Sequence, residues 1–253
     1  MLLVIDVGNT NIVVGVFQGE SLAHRFRVQT IPGRTADEFG VLLADLFHHR
    51  GVAPQIRGAI ISCVVPDQLH ALQQTCRHYF DIDPLIVGPG IRTGLPILAE
   101  NPREVGADRI VNSVAAYDLV GGGCVVVDFG TATTFDCVSP KGEYLGGAIA
   151  PGFQISAEAL FRRTSKLPQV EVHRPQKVIG RNTIHSMQSG LYYGYVGLVD
   201  GLVGRIMEEM GEDLRVLATG GLAAVLSEAS HTIDEVAEDL TLHGLRILNE
   251  RNT

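Results

Sequence analysis

The chain has 253 residues, 45% hydrophobic and 19% charged, with a formal net charge of −8. That length and apolar content specify a globular protein with a large core in one domain or two, and exclude a disordered chain. The acidic balance argues against a nucleic-acid groove, which needs a basic stripe. No apolar run approaches the roughly 20 residues of a membrane span, and no basic stretch precedes the N-terminal apolar run, which Asp6 interrupts, so a cytoplasmic protein without a signal peptide is expected.

In chain order, strands are predicted over residues 2–7, 11–18 and 21–28, the last two meeting near Gln18-Gly19-Glu20. Apolar residues at 36, 39, 42, 43, 46 and 47 predict a helix over Thr35–Arg50, with Thr35 and Glu38 as a capping box. A short buried strand follows at Gly58–Val65, then a helix over Pro66–Phe80 with proline in its first turn. Pro84–Val87 reads as a strand, Gly88–Pro102 as a loop, and Glu104–Leu119 as a helix stopped by Gly121-Gly122-Gly123. Three more strands are predicted at 124–128, 132–138 and 143–150, with a turn at Ser139–Gly142. Helical pattern resumes over 153–163 and 183–210, residues 214–219 form a strand, and 238–250 a closing helix.

The second run of three strands repeats the first. Leu2–Ile5 leads into Asp6-Val7-Gly8-Asn9-Thr10-Asn11, and Val125–Val127 leads into Asp128-Phe129-Gly130-Thr131-Ala132-Thr133-Thr134. Each is a buried strand, an aspartate, one apolar residue, a glycine, then amide or hydroxyl residues. Either phrase alone is equally a plain hairpin turn, since Asn and Gly are ordinary turn residues. The repetition favours a ligand: a carboxylate at the end of a buried strand needs a cation or donor, glycine lets backbone approach, and Thr, Asn and N–H groups bond phosphate oxygens. The pattern predicts a mixed α/β protein of two similar halves, 1–121 and 122–253, around a central cleft, with the glycine run as the boundary.

Other motifs are fewer. No Gly-x-x-x-x-Gly-Lys-Ser/Thr, no Gly-x-Gly-x-x-Gly opening a helix, and no Gly-x-Ser-x-Gly occurs. Cys63, Cys76, Cys124 and Cys137 lack zinc-type spacing and read as buried free thiols; the adjacent His48 and His49 point to different helix faces and read as solvated. Asn101-Pro102-Arg103-Glu104-Val105-Gly106-Ala107-Asp108-Arg109 reads either as a helix start or as a functional segment. In the second reading Asp108 is a general base toward a substrate hydroxyl, and Arg109 binds a carboxylate or phosphate through its forked donors. Gly146–Gly152 and Leu217–Gly221 are small-residue turns that either admit a nucleotide against backbone or serve strand-to-helix packing.

These phrases together resemble the type III pantothenate kinases of bacteria. The resemblance runs through Asp6–Asn11, Gly88-Pro89-Gly90, Asn101–Arg109, Asp128–Thr134, Gly146–Gly152, Gly180-Arg181-Asn182-Thr183, Ser186–Gly190 and Thr219-Gly220-Gly221. It implies the duplicated ribonuclease-H-like fold of actin, hexokinase and acetate kinase. It implies transfer of the ATP γ-phosphate to the primary hydroxyl of pantothenate, giving 4′-phosphopantothenate, the first step toward coenzyme A, in a homodimer. Under it, Asp6, Val7, Gly8, Asn9, Thr10 and Asn11 form the first phosphate turn, with Asp6 toward Mg²⁺, and Thr131 meets ATP phosphate. Asp128 binds K⁺ or NH₄⁺, Asp108 accepts the proton, Gly106, Ala107 and Arg109 flank pantothenate, and Thr183 contacts pantothenate across the dimer. One position departs: Ala99 stands where related members often have a tyrosine lining the pantothenate pocket. A non-catalytic ATP-binding regulatory protein of the same family is the alternative, and another small-molecule kinase or a phosphatase on this fold a third reading.

Overall fold

The computed structural model describes residues 1–51, 55–212 and 214–253. By density of contacts it divides into one unit of Met1–Leu95, Glu100–Ala115 and Leu240–Thr253 and another of Pro96–Ala99 and Ala116–Asp239.

The first unit is built on strands β1 (Leu2–Val7), β2 (Asn11–Gln18), β3 (Ser21–Gln29), β4 (Gly58–Cys63) and β5 (Leu85–Ile86), in the order β3-β2-β1-β4-β5. β1 pairs antiparallel with β2 and parallel with β4, so it is central and buried on both faces. Its run Leu-Leu-Val-Ile lacks the polar alternation of a half-exposed strand for that reason. Helices α1 (Ala36–His49) and α2 (Pro66–Phe80) cover one face, where Phe39, Leu43, Phe47, Leu72 and Cys76 meet Leu3, Ile5 and Val7. The expected capping box starts α1: Glu38 N–H donates to Thr35 Oγ1 at 3.3 Å, and Thr35 N–H to Glu38 Oε2 at 2.7 Å.

The second unit repeats the plan with β6 (Cys124–Phe129), β7 (Ala132–Val138), β8 (Tyr144–Pro151), β9 (Arg215–Gly220) and β10 (Glu235–Val236), in the order β10-β9-β6-β7-β8. Again the first strand is central, antiparallel to the second and parallel to the fourth. Identical order and pairing in both sheets is the duplicated ribonuclease-H-like arrangement expected from the sequence. Helices α4 (Phe153–Arg163), α5 (Thr183–Met210) and the short α6 (Ala223–Ser227) belong to this unit; Tyr192, Tyr195, Val199 and Val203 of α5 pack on Val125, Val127 and Phe135.

Several boundaries move from their expected places. Helix α3 (Ala107–Val120) begins three residues after the predicted Glu104, because residues 102–104 form a separate 3-10 turn and Val105 is extended. β4 stops at Cys63, where Pro66 opens α2, and β5 excludes Pro84, which has no N–H for the ladder. The short α6 and β10 have too few residues to show a period. The contact-dense units also differ from a division at residue 121. The boundary falls within α3, and the closing helix α7 (Leu240–Asn252) packs on β1 and β4 of the first unit. An amphipathic stripe shows that a helix covers a sheet, not which sheet.

Gly244 of α7 lies so close to α3 that a Cβ there would sit 2.2 Å from the Val111 carbonyl oxygen. Gly244→Ala is therefore expected to destabilise the protein by about 1–3 kcal/mol, the usual range for overpacking. A urea titration should show a lower midpoint with an unchanged slope.

Candidate active site

Asp6 and Asp128 occupy the same place in the two sheets, the residue before the last in the central strand. Both are half-buried. After Asp6 the chain reverses through Gly8, Asn9 and Thr10, closed by Gly8 N–H donating to the Asn11 carbonyl at 3.0 Å. After Asp128 it reverses through Gly130 and Thr131, closed by Gly130 N–H donating to the Ala132 carbonyl at 3.0 Å. Both phrases are hairpin turns with polar residues at their tips: Asn9, Thr10 and Thr131 are exposed and Asn11 partly so, while Val7 and Thr133 are buried beneath and Thr134 is half-buried.

Each turn is braced from a distance. Thr30, just past β3, donates its Oγ1 to the Gly8 carbonyl at 2.7 Å and its N–H to the Thr10 carbonyl at 3.0 Å. The second turn is braced by glycines. A Cβ on Gly152, which caps α4, would lie 2.0 Å from the Thr131 carbonyl oxygen; one on Gly220, at φ +91°, would lie 2.6 Å from Asp128 Oδ1. Any side chain at either place would displace the turn or the carboxylate. The small-residue phrases Gly146–Gly152 and Leu217–Gly221 thus serve close backbone approach to the second turn and to Asp128.

Gly106, Ala107, Asp108 and Arg109 open α3 in the first unit, together with Asp6–Asn11. Asn101 caps the preceding 3-10 turn and ties down Glu104, its Nδ2 donating to Glu104 Oε1 at 2.6 Å. Glu104 is thereby spent on the turn, and Asp108 takes the acidic place in the first turn of α3. Asp108 Oδ1 accepts the Arg109 N–H at 2.8 Å. Burial raises the Asp108 pKa above the usual carboxylate value of 3.8, against the pull of that bond and of the Arg109 charge. A carboxylate so displaced accepts a proton more readily than an exposed one.

The second unit holds Asp128, Thr131 and Thr183. Thr183 is exposed at the first position of α5, beside the cap residue Asn182, whose Oδ1 accepts the His185 N–H at 2.8 Å. It lines a groove of about 720 Å³ with Leu160, Gly180, Arg181 and Met187 among others. Ala99 is half-buried.

Two further residues were not read from the sequence: Ser62, in register with Asp6, and Thr30, bonded to the first turn; Thr219, inside a turn that was read, stands in register with Asp128. Their nearness arises from pairing across tens of residues, which local pattern does not carry. Cys63 is half-buried rather than buried; burial pushes its thiol up and the nearby Asp6 carboxylate adds to that. Cys76 and Cys124 are buried and pushed up to about 12, so they are inert structural thiols, as expected. No cluster of three or more His, Cys, Asp or Glu side chains suited to a metal is found among the described residues.

The sequence profile of the type III pantothenate kinases matches residues 2–205. A type III pantothenate kinase of Myxococcus xanthus strain DK1622 is 57% identical over 253 residues, covering 100% of this chain and 99% of the relative. One from Geobacter sulfurreducens is 58% identical over 253 residues, covering 100% and 99%. Among solved structures, a protein described as a Baf family transcriptional activator from Campylobacter jejuni aligns at TM-score 0.62 and 18% identity, covering 99% of this chain and 98% of that one. An inorganic polyphosphate/ATP-glucomannokinase from Arthrobacter sp. strain KM aligns at 0.52 and 13%, covering 99% and 98%. At those identities the two structures speak for the fold alone.

The raised Asp108 pKa has a consequence for stability. The folded protein holds that proton more tightly than the unfolded chain, so stability falls as pH climbs above 3.8 and then levels once the folded group has ionised. Asp108→Asn is expected to melt at a higher temperature than the parent at neutral pH and to lose the advantage below pH 3.8. Thermal melts across pH check this.

Proposed function

The chain belongs to the type III pantothenate kinase family, and from that premise we propose that it transfers the γ-phosphoryl group of ATP to the primary hydroxyl of pantothenate, the first step of coenzyme A synthesis. The observation that carries the reading is the pair of aspartates, each penultimate in a central strand and each followed by a turn with outward amide and hydroxyl groups. The regulatory alternative has no support among the full-length relatives at 54–58% identity, all named as the kinase.

In this reading the turn Asp6–Asn11 and Thr131 hold the phosphates of ATP. The chain has three lysines, Lys141, Lys166 and Lys177, and none stands in either turn. Positive charge must then come from cations. Asp6 would hold Mg²⁺, and the residues fit it: one carboxylate without a cage suits an ion that keeps most of its waters and takes its other ligands from phosphate. When bound, magnesium neutralises charge on the phosphates as they separate. Asp128 would hold K⁺ or NH₄⁺.

Asp108 receives the hydroxyl proton. Its Oδ1 is engaged by the Arg109 N–H, so Oδ2 is the oxygen that takes it. Gly106 and Ala107 let pantothenate lie against backbone, and the Arg109 guanidinium binds the pantothenate carboxylate. Catalysis of this kind is chiefly positioning and charge neutralisation.

We further propose a homodimer built on α5. Gly190, Gly194, Gly197, Gly201 and Gly204 recur every three or four residues, hence on one face. A Cβ on four of them would meet nothing within 4 Å, and on Gly201 only the tip of Arg205. Glycine inside a helix is worse than alanine by roughly 0.5–1 kcal/mol, a cost that close approach of a second backbone would offset. Ile179 and Ile184, 82% and 47% exposed, flank Thr183 and would be covered in the same assembly. Thr183 would then reach the partner's pantothenate. The reading places the enzyme in the cytoplasm, with no nucleic-acid partner; no described helix is long and apolar enough to cross a membrane.

A coupled ATP assay with pantothenate and a panel of other small alcohols tests the activity. Asp108→Asn is expected to lower kcat by about 10²–10⁴-fold, the range of general-base catalysis, and near-parental kcat would sink that role. Activity should require K⁺ or NH₄⁺ and fall in Na⁺ alone, with Asp128→Asn losing the distinction. Gly197→Leu is expected to elute as a monomer by light scattering, where the parent elutes as a dimer.

A further inference from the structure

The sheet face that carries Asp6 holds one polar group that packing does not explain. Ser62 of β4 is the parallel register partner of Asp6 in β1. Register partners on adjacent strands stand on the same side of the sheet, about 5 Å apart. Ser62 is wholly buried, and its Oγ has no hydrogen-bond partner. Ile60 and Val4, the next pair down that face, are fully buried and apolar. An unsatisfied buried hydroxyl costs about 1–3 kcal/mol. Alanine would fill the same space without that cost.

The second unit places a hydroxyl residue at the equivalent position. Asp128 in β6 has Thr219 of β9 as its parallel register partner, and Thr219 is also buried. β4 reads Gly-Ala-Ile-Ile-Ser-Cys and β9 reads Arg-Val-Leu-Ala-Thr-Gly. In both, the hydroxyl residue takes the one place in the strand that lies beside the aspartate, at the end of an otherwise apolar run.

We infer that Ser62 is a positioning residue of the cation site: its hydroxyl holds a water of the magnesium ion that Asp6 faces, and so fixes where that ion rests. This depends on the reading of Asp6 as the magnesium carboxylate. Magnesium gives up its waters reluctantly and is bound by one or two carboxylates, so a site for it needs groups that hold water as well as one that holds the metal. A serine hydroxyl suits the task because it donates and accepts. Groups behind the direct ligands are typically worth 10–100-fold in metal affinity.

The experiment uses the purified full-length protein, Ser62→Ala and Asp6→Asn, each titrated with Mn²⁺ in the presence of a non-hydrolysable ATP analogue. Free Mn²⁺ is read by electron paramagnetic resonance, and thermal melting is recorded without metal or nucleotide. Ser62→Ala is expected to melt at the parental temperature or above and to bind Mn²⁺ about tenfold more weakly, near the lower end of the range for such groups. Parental Mn²⁺ affinity in Ser62→Ala, with affinity lost in Asp6→Asn, would overturn the inference and leave the reading of Asp6 intact. Parental affinity in Asp6→Asn would overturn both.

Discussion

A carboxylate lifted out of water is destabilising unless a cation or a set of donors meets it. This protein accepts that constraint twice, by ending the central strand of each sheet on a half-buried aspartate. Much of the surrounding architecture follows from it. The hairpin after each aspartate turns amide and hydroxyl groups outward, Thr30 ties the first turn to the strand behind it, and Gly152 and Gly220 let backbone press against the second turn and its carboxylate.

The third acid, Asp108, meets the same constraint differently. It sits in the first turn of a helix, where one oxygen is met by a backbone N–H, yet burial still dominates and raises its pKa. That placement suits the proposed general base and does not favour the folded state. Ser62 belongs to the same economy: a buried, unbonded hydroxyl is a poor choice for packing and a good one for holding water beside a cation. Under the proposed phosphoryl transfer these positions share one purpose, to hold carboxylates and hydroxyls where phosphate and its cations would rest.

Much of the local structure that carries the candidate site was legible from the chain. The Asp-x-Gly phrases, the Thr35–Glu38 capping box and the helix-stopping glycines depend on residues within a few positions of one another, and each stands where local chemistry puts it. The start of α3 was not legible, because a 3-10 turn and a helix share the same opening chemistry and only Val105, turned extended, separates them. Cys63 looked buried in an apolar run, but it ends its strand, and strand ends open toward solvent.

By itself the sequence determined the two similar halves, the strands and turns that carry Asp6, Asp128 and Asp108, and the family. The elements and turns follow from periodicity and turn chemistry, which act over a few residues, and the family from the order of its motifs along the chain. Only the tertiary structure decided which residues stand beside the acids. Ser62 reaches Asp6 and Thr219 reaches Asp128 through parallel pairing of strands separated by a crossover, and α7 returns from the end of the chain to cover β1 and β4. Register and the choice of sheet are settled by the burial of whole faces, a sum over many distant residues that no short stretch of sequence contains.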